Sequence, residues 1–129
     1  MSNKTILIIV HEDNIRRCLA EVLSEEGYTV FTESSGLKGL ELILKEEYPL
    51  VIINQDMPKI EMDGIEVLRE IKKIKPETQV IMIAGHGSIE SSVMATKMGA
   101  FDYIQKPLSL ERLLITVKRS LGATKSEQF

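Results

Sequence analysis

Histidine, lysine and acidic side chains are the residues whose types could carry chemistry in this sequence. His11 could act as a metal ligand or contact a phosphate, but no second histidine or cysteine stands near it. Because zinc sites usually need three or four protein ligands, a hydrogen-bonded polar residue is the simpler interpretation of His11. Lys106 could pair with the acids Glu12, Asp13 and Asp56. A binding site and a purely structural ion pair are both compatible with this set.

Short apolar runs alternate with longer segments of helical period, and this alternation must position those side chains. It is typical of βα units around a parallel sheet, and five units can be counted. The predicted strands are Thr5–Val10, Thr29–Thr32, Leu50–Ile53, Gln79–Ala84 and Asp102–Ile104. In an open parallel sheet, ligands bind at the carboxyl ends of strands. The loops after the first, third, fourth and fifth strands should therefore hold any functional residues.

Helices are predicted between the strands, where apolar residues recur at spacings of three and four. Their expected ranges are Asn14–Glu26, Leu37–Glu47, Ile65–Lys75, Ile89–Met98 and Leu110–Leu121. Left-handed helix ends are expected at Gly27, Gly99 and Gly122, and side-chain caps at Asn14, Ser88 and Ser109. The periodicity is lost after Leu121. Residues 1–121 should form the domain, and residues 122–129 a tail or the beginning of a linker.

The composition fits one globular domain. A chain of 129 residues can bury one core, and 43% apolar with 27% charged residues is ordinary for a folded protein. The net charge of −3 argues against direct nucleic-acid binding by this domain, since such modules usually carry a basic face. The lone Cys18 is expected to pack among apolar neighbours. Apolar runs are far shorter than the roughly 20 residues that span a bilayer, so we expect no membrane contact and a cytoplasmic protein.

Several motifs, taken together, resemble the receiver domain of bacterial response regulators. In chain order they are Lys4-Thr-Ile-Leu-Ile-Ile, Glu26-Gly-Tyr28, Met57-Pro58, Asp63-Gly64, Gly85-His-Gly-Ser88, Gly99-Ala-Phe-Asp-Tyr103 and Lys106-Pro107. The resemblance extends from Lys4 to Leu121, and its later part is most similar to receivers of NtrC-like enhancer-binding activators. It implies the CheY-like, doubly wound α/β fold: a flavodoxin-like (βα)5 unit with five parallel strands in the order 2-1-3-4-5.

The resemblance also implies a Mg²⁺ site, of which this sequence has lost most ligands. A typical receiver uses two acidic residues after the first strand and an aspartate after the third. Aligned without a gap, the acidic pair falls on Val10 and His11, with Glu12 beyond. A shift by one residue would pair His11 with Glu12 and keep one carboxylate. We favour the ungapped register, because Asn14-Ile15-Arg16 then keeps its usual place, and we expect no bound metal or other cofactor.

At the phospho-acceptor position of the family this chain has Asn54. A carboxamide is neutral and cannot form the acyl phosphate that a carboxylate forms. Asp56 is the reserve candidate, since it lies seven residues before Asp63, the family's usual distance from the acceptor to Asp-Gly. That register displaces the Met57-Pro58 pair. Asn54 as the acceptor equivalent requires only a two-residue insertion around Ile60-Glu61, in a loop where insertions are tolerated.

The switch residues of the family are partly kept. Ala84 stands where relatives have a threonine or serine whose hydroxyl moves toward the phosphoryl group. Tyr103 matches the aromatic residue that rotates inward on activation. Lys106 matches the lysine that contacts the phosphoryl oxygens, and the resemblance implies a cis bond to Pro107. A purely structural role for Lys106, in which it offsets nearby acids, stays open beside this one.

Three functional hypotheses follow from these residues. The first is a non-enzymatic pseudo-receiver of a phosphorelay response regulator, which regulates an effector, in keeping with transcription, by binding a protein partner or itself. Its contact surface would be the face formed by the fourth helix, fifth strand and fifth helix. The second is a phosphorylatable receiver that uses Asp56, with Mg²⁺ held by Glu12 or Asp13. The third is an inert remnant tethered to an effector. A small phosphodonor distinguishes the second from the other two.

Overall fold

A computed structural model describes residues 4–57 and 62–126 of the chain. The strands are β1 (Thr5–Ile9), β2 (Thr29–Glu33), β3 (Leu50–Asn54), β4 (Gln79–Ala84) and β5 (Asp102–Gln105). The helices are α1 (Asp13–Glu25), α2 (Gly36–Lys45), α3 (Gly64–Ile74), α4 (Ile89–Lys97) and α5 (Leu110–Ser126). Every boundary except the end of α5 lies within two residues of its prediction.

The five strands form one parallel sheet in the order β2-β1-β3-β4-β5. This confirms the doubly wound fold predicted from the sequence. β1, β3 and β4 lie inside the sheet, and their apolar residues are buried on both faces, as expected for strands covered by helices above and below.

Alternate residues of each strand belong to two separate cores. One core contains residues of β1, β3 and β4 with α2, α3 and Ala95 of α4; the other contains their strand neighbours with α1 and α5. Because side chains alternate across a strand, residues of the first core share one face of the sheet. Tyr103 packs against that first core.

The predicted helix ends are mostly confirmed. Gly27 and Gly99 adopt positive φ angles of 96° and 103°, and the side chains of Ser88 and Ser109 accept hydrogen bonds from backbone N–H groups three residues on. The cap at Asn14 is wrong. Helix α1 begins at Asp13, Glu12 stands at the capping position without a side-chain hydrogen bond, and Asn14 lies inside the helix.

Two further expectations are wrong. Helix α5 continues through Gly122 to Ser126, because Gly122 does not take the positive φ that would end it. The division into a domain of residues 1–121 and a tail or linker of residues 122–129 stays a prediction, and residues 127–129 lie outside the described part. Cys18 is exposed. The inward stripe of α1 is made by Leu19 and Leu23 at a spacing of four, and Cys18 lies one position off that stripe.

Candidate functional site

The candidate site lies at the carboxyl edge of the sheet, where β1, β3, β4 and β5 end. Asn54 is the last residue of β3 and pairs in register with Ile83 of β4. Val10 follows β1 directly, and its N–H donates to the carbonyl of Glu33. Both Asn54 and Val10 are fully buried. The parallel sheet therefore gathers the predicted site residues at one edge.

The buried side chain of Asn54 makes only part of its possible hydrogen bonds within the described residues. Its Oδ1 accepts a hydrogen bond from the N–H of Asp56 at 3.0 Å. Its Nδ2 is buried and has no hydrogen-bond partner among the residues that the structure describes. The amide oxygen thus organises the turn after β3, while the donor nitrogen is left without a partner in the described part of the chain, which is unusual for a buried polar atom.

Asp56 reaches across to the loop between β4 and α4. Its Oδ2 accepts from the N–H of Gly85 at 2.6 Å and from the N–H of His86 at 3.2 Å. Hydrogen bonds to an ionised carboxylate are among the stronger ones in proteins. Asp56 therefore acts as an anionic ligand of a loop that is 29 and 30 residues away in sequence.

Lys106 lies beside the same loop and pairs with an acid from the first loop. Its Nζ is 3.6 Å from Glu12 Oε1. A Cβ atom on Gly85 would stand 3.8 Å from Lys106 Nζ and 3.2 Å from Asp56 Oδ2, so the ammonium and the Asp56 carboxylate border one small space. Of the acids considered as partners of Lys106, Glu12 forms an ion pair with it. Half-exposed pairs of this kind contribute little to stability.

Asp13, another of the three acids considered as partners of Lys106, pairs elsewhere. Its Oδ1 contacts Arg16 Nη2 at 2.5 Å, and this hydrogen bond with the guanidinium holds the pKa of Asp13 below its usual range. The other terminal nitrogen of Arg16 donates to the carbonyls of Val10 and His11. Arg16 thus fixes the backbone of the β1–α1 loop. His11 Nδ1 is buried without a partner among the described residues, so the hydrogen-bonded interpretation of His11 fails for this atom.

Tyr103 makes its contact with a residue that the sequence did not single out. Its hydroxyl donates a hydrogen bond to Gln55 Oε1. Ala84 is buried at the end of β4, and its carbonyl accepts from the N–H of Lys106 at 2.9 Å. The Lys106–Pro107 bond is cis, as expected. The sequence offered one indication that Gln55 belongs to the site, namely its place directly after the acceptor-equivalent position.

The residues present do not fit a magnesium ion. Mg²⁺ requires oxygen ligands in near-octahedral geometry, whereas Val10 is apolar and Asn54 turns its one oxygen to a backbone N–H. Glu12 is paired with Lys106 and Asp56 with two N–H groups. Over residues 4–57 and 62–126, no group of three or more histidine, cysteine or acidic residues could hold a metal ion.

Comparison with known proteins identifies the family of the chain. The family model described as "Response regulator receiver domain" matches residues 6–118. The chain belongs to this family. A putative NtrX-like response regulator of Rickettsia bellii is 38% identical over 97% of the receiver chain and 26% of its own length. The transcriptional regulatory protein ZraR of Escherichia coli K12 is 37% identical over 98% of this chain and 29% of its own length.

A solved receiver structure gives the same result. The beryllofluoride-activated NtrC4 receiver domain dimer superposes with a TM-score of 0.88 at 33% identity, covering 95% of this receiver and 99% of that chain. The predicted likeness to NtrC-like regulators is thereby confirmed. The receiver spans about a quarter of the length of the curated relatives. No helix in its described part is both long and apolar enough to cross a membrane.

Two predicted features fall outside the described residues. Pro58 and the proposed insertion around Ile60-Glu61 lie in residues 58–61, which the structure does not describe. The assignment of Asn54, rather than Asp56, to the acceptor position therefore stays a prediction. The described chain does show that Asp63 caps α3, since its Oδ1 accepts from the N–H of Glu66.

Proposed function

We propose that this receiver domain is a non-enzymatic interaction module that pairs with a second copy of itself and does so without a phosphoryl group. It would serve a cytoplasmic regulator of transcription, as its NtrX-like and ZraR relatives suggest. The observation that carries the proposal is Asn54: a fully buried carboxamide ends β3, at the position that we align with the nucleophile of the family.

The surroundings of Asn54 support the absence of phosphoryl transfer. A carboxamide is not a nucleophile for this reaction, and the nearby oxygens are already engaged by Lys106 or by backbone N–H groups. Ala84 supplies no hydroxyl at the end of β4. Negative charge that develops on a phosphoryl group in the transition state would therefore lie near Lys106, but no metal ion would stabilise it.

The contact surface that we propose is the face of α4, β5 and α5, called here the α4–β5–α5 face. Helix α4 buries only Ala95, and several large apolar residues of α4 and α5 are exposed. They are Ile89, Val93, Met94, Leu110 and Ile115. Ile89 alone is 84% exposed. Clustered exposed apolar side chains mark interaction sites more often than scattered ones do.

Charges on the same face favour a second copy as the occupant. Arg112 and Asp102 form an exposed ion pair at 3.4 Å, and Lys97 and Glu90 lie on exposed positions of α4. A surface with both signs beside an apolar strip can match its own two-fold copy, because an isologous contact places each patch against its complement. The NtrC4 receiver to which this chain is similar is a dimer in its beryllofluoride-activated form.

Concentration-dependent NMR spectra of the unmodified receiver test this assignment. We expect amide signals of residues 89–97, 102–105 and 110–116 to shift with concentration, while those of α1 and α2 stay constant. Shifts confined to α1 and β2, or spectra that do not change with concentration, would rule out pairing through the α4–β5–α5 face.

A second function is favoured by one observation: the Asp56 carboxylate and Lys106 Nζ border the same small space beside Gly85. This arrangement would suit a phosphorylatable Asp56. Treatment with acetyl phosphate and Mg²⁺ decides the matter by mass spectrometry. A gain of about 80 Da on Asp56, the mass of one phosphoryl group, would favour this function over the interaction module.

A further inference from the structure

We propose that Gln55 and Asp56 form a clasp that holds both the β4–α4 loop and Tyr103 in one resting state. The clasp consists of two consecutive residues directly after β3: Asp56 contacts the β4–α4 loop, and Gln55 contacts Tyr103. It deepens the proposed function, because the clasped parts border the α4–β5–α5 face. Both residues are positioning residues, since they act on that face through other groups.

The first arm of the clasp is the contact of Asp56 with the β4–α4 loop, and it holds that loop in place. Two consecutive backbone donors, the N–H groups of Gly85 and His86, converge on one carboxylate oxygen. The carboxylate is held in place because the N–H of Asp56 itself donates to the buried Asn54 Oδ1. An acid built into the chain therefore supplies the negative charge that these donors bind.

The second arm of the clasp is the hydrogen bond between Gln55 and Tyr103, and it holds the tyrosine across β4. Asn54 is paired with Ile83, and Ala84 is paired with Gln105, so Gln55 comes level with Ala84. Alternation along the strands puts Gln55, Ala84 and Tyr103 on the same face of the sheet. The methyl group of Ala84 is small, and the Tyr103 hydroxyl reaches Gln55 over it.

The two arms meet at Gly87. A Cβ atom on Gly87 would lie 2.6 Å from Tyr103 Oη and 3.1 Å from Tyr103 Cε1, so the loop backbone rests directly against the tyrosine ring. A loop held by Asp56 and a ring held by Gln55 therefore constrain each other. Neither can move far unless the other does.

The clasp sets the shape of a groove at the beginning of α4. Gly87, Ile89, Val93, Tyr103 and Arg112 are among the residues that line this groove of about 500 Å³. Helix α4 begins at Ile89, directly after the loop that the clasp holds. The position of the exposed apolar residues of α4 therefore depends on the conformation of that loop. The clasp thus links the end of β3 to the α4–β5–α5 face.

NMR on a dilute solution of the receiver tests the clasp independently of dimerisation. Asp56→Ala should speed amide hydrogen exchange at Gly85 and His86 by about tenfold or more, as expected when a charge-assisted hydrogen bond is lost. It should also shift the Tyr103 ring signals, and Gln55→Met should shift the Gly85 and His86 amides. These cross-effects are the signature of coupling, which a merely local contact would not produce.

Two matched variants complete the test. Glu12→Gln removes a charge beside Lys106 without touching the loop donors, and it should alter neither set of signals. Asp56→Asn keeps an oxygen acceptor and should restore part of the protection; it also serves if Asp56→Ala fails to fold. Unchanged exchange at Gly85 in both Asp56 variants, or effects that stay within the mutated arm, would overturn the clasp while leaving the dimer proposal to its own test.

Discussion

Tyr103 donates its hydroxyl hydrogen bond to Gln55 across the end of β4, on the face of the sheet where Ala84 lies. The contact depends on a small residue at position 84. A threonine or serine there would place a hydroxyl between the two side chains. The small side chain at position 84 and the Tyr103–Gln55 contact are therefore parts of one local arrangement.

Ala84→Leu should lower the free energy of unfolding by about 1–3 kcal/mol, because overpacking a fully buried position forces its neighbours apart. The neighbours include the hydrogen-bonded Gln55 and Tyr103. In a Tyr103→Phe background the same change should cost about 1 kcal/mol less, since the hydrogen bond is already gone. Urea denaturation of all four proteins measures the coupling. Strictly additive effects would separate Ala84 from the contact.

Asn54→Asp alone should stay almost unlabelled by acetyl phosphate. The change supplies a nucleophile but no metal ligands to neutralise the phosphoryl oxygens. Adding Val10→Asp, His11→Asp and Ala84→Thr should permit labelling. Intact-mass spectrometry with the wild-type receiver as control gives the comparison, and substantial labelling of the single variant would contradict the account of the site.

Millimolar Mg²⁺ should leave the melting temperature of the wild-type receiver almost unchanged. A ligand raises stability by RT ln(1 + [L]/Kd), and the residues at the sheet edge offer too few free oxygens for a low Kd. Differential scanning calorimetry with and without Mg²⁺ checks this, with a large, weakly coordinating cation as control. A rise of several degrees with Mg²⁺ alone would make Asp56, Glu12 and Asp13 the leading ligands.

Gly64→Ala should be destabilising, by about 1–3 kcal/mol. A Cβ there would lie 2.6 Å from the carbonyl oxygen of Asn54 and from the Cα of Gln55, so backbone would have to move at the candidate site. Gly122→Ala is the matched control. It lies within α5, where its added methyl would meet no other described part of the chain within 4 Å beyond its own helix, and alanine should stabilise the helix by up to about 1 kcal/mol. Equal effects of the two changes would show that α3 is not packed tightly on the end of β3.

The strands and nearly all helix boundaries could be predicted because hydrophobic period and end signals act locally, whereas the strand order was implied by the resemblance to receiver domains. Capping by Ser88 and the turn at Gly99 are examples. Gly122 misled the prediction, since a glycine ends a helix only when it adopts positive φ, and its φ depends on whether the residues after it continue the helix. The prediction for Cys18 was wrong because Cys18 lies one position away from the buried stripe of Leu19 and Leu23, and neighbouring positions on a helix point in different directions.

The candidate site was predictable only in part. The residues of the site could be named because parallel strands end at one edge of the sheet. Which side chains pair with each other could not be predicted, because pairing depends on distances in the folded structure. Asp13 turns to Arg16, Glu12 to Lys106, and Asp56 to the N–H of Gly85. Gln55 was missed because a neutral amide in a loop carries no periodic or charge signal.

Sedimentation velocity of the untreated receiver over a range of concentrations tests the central claim most directly. The wild-type chain, without any phosphodonor, should pass from monomer to dimer as its concentration rises. Val93→Glu, at a position on α4 that is 47% exposed, should remain monomeric, whereas Leu44→Glu, at a position on α2 that is 59% exposed, should behave like the wild type. A wild-type receiver that sediments as a monomer throughout, or a Leu44→Glu variant that disrupts the dimer as strongly as Val93→Glu, would contradict it.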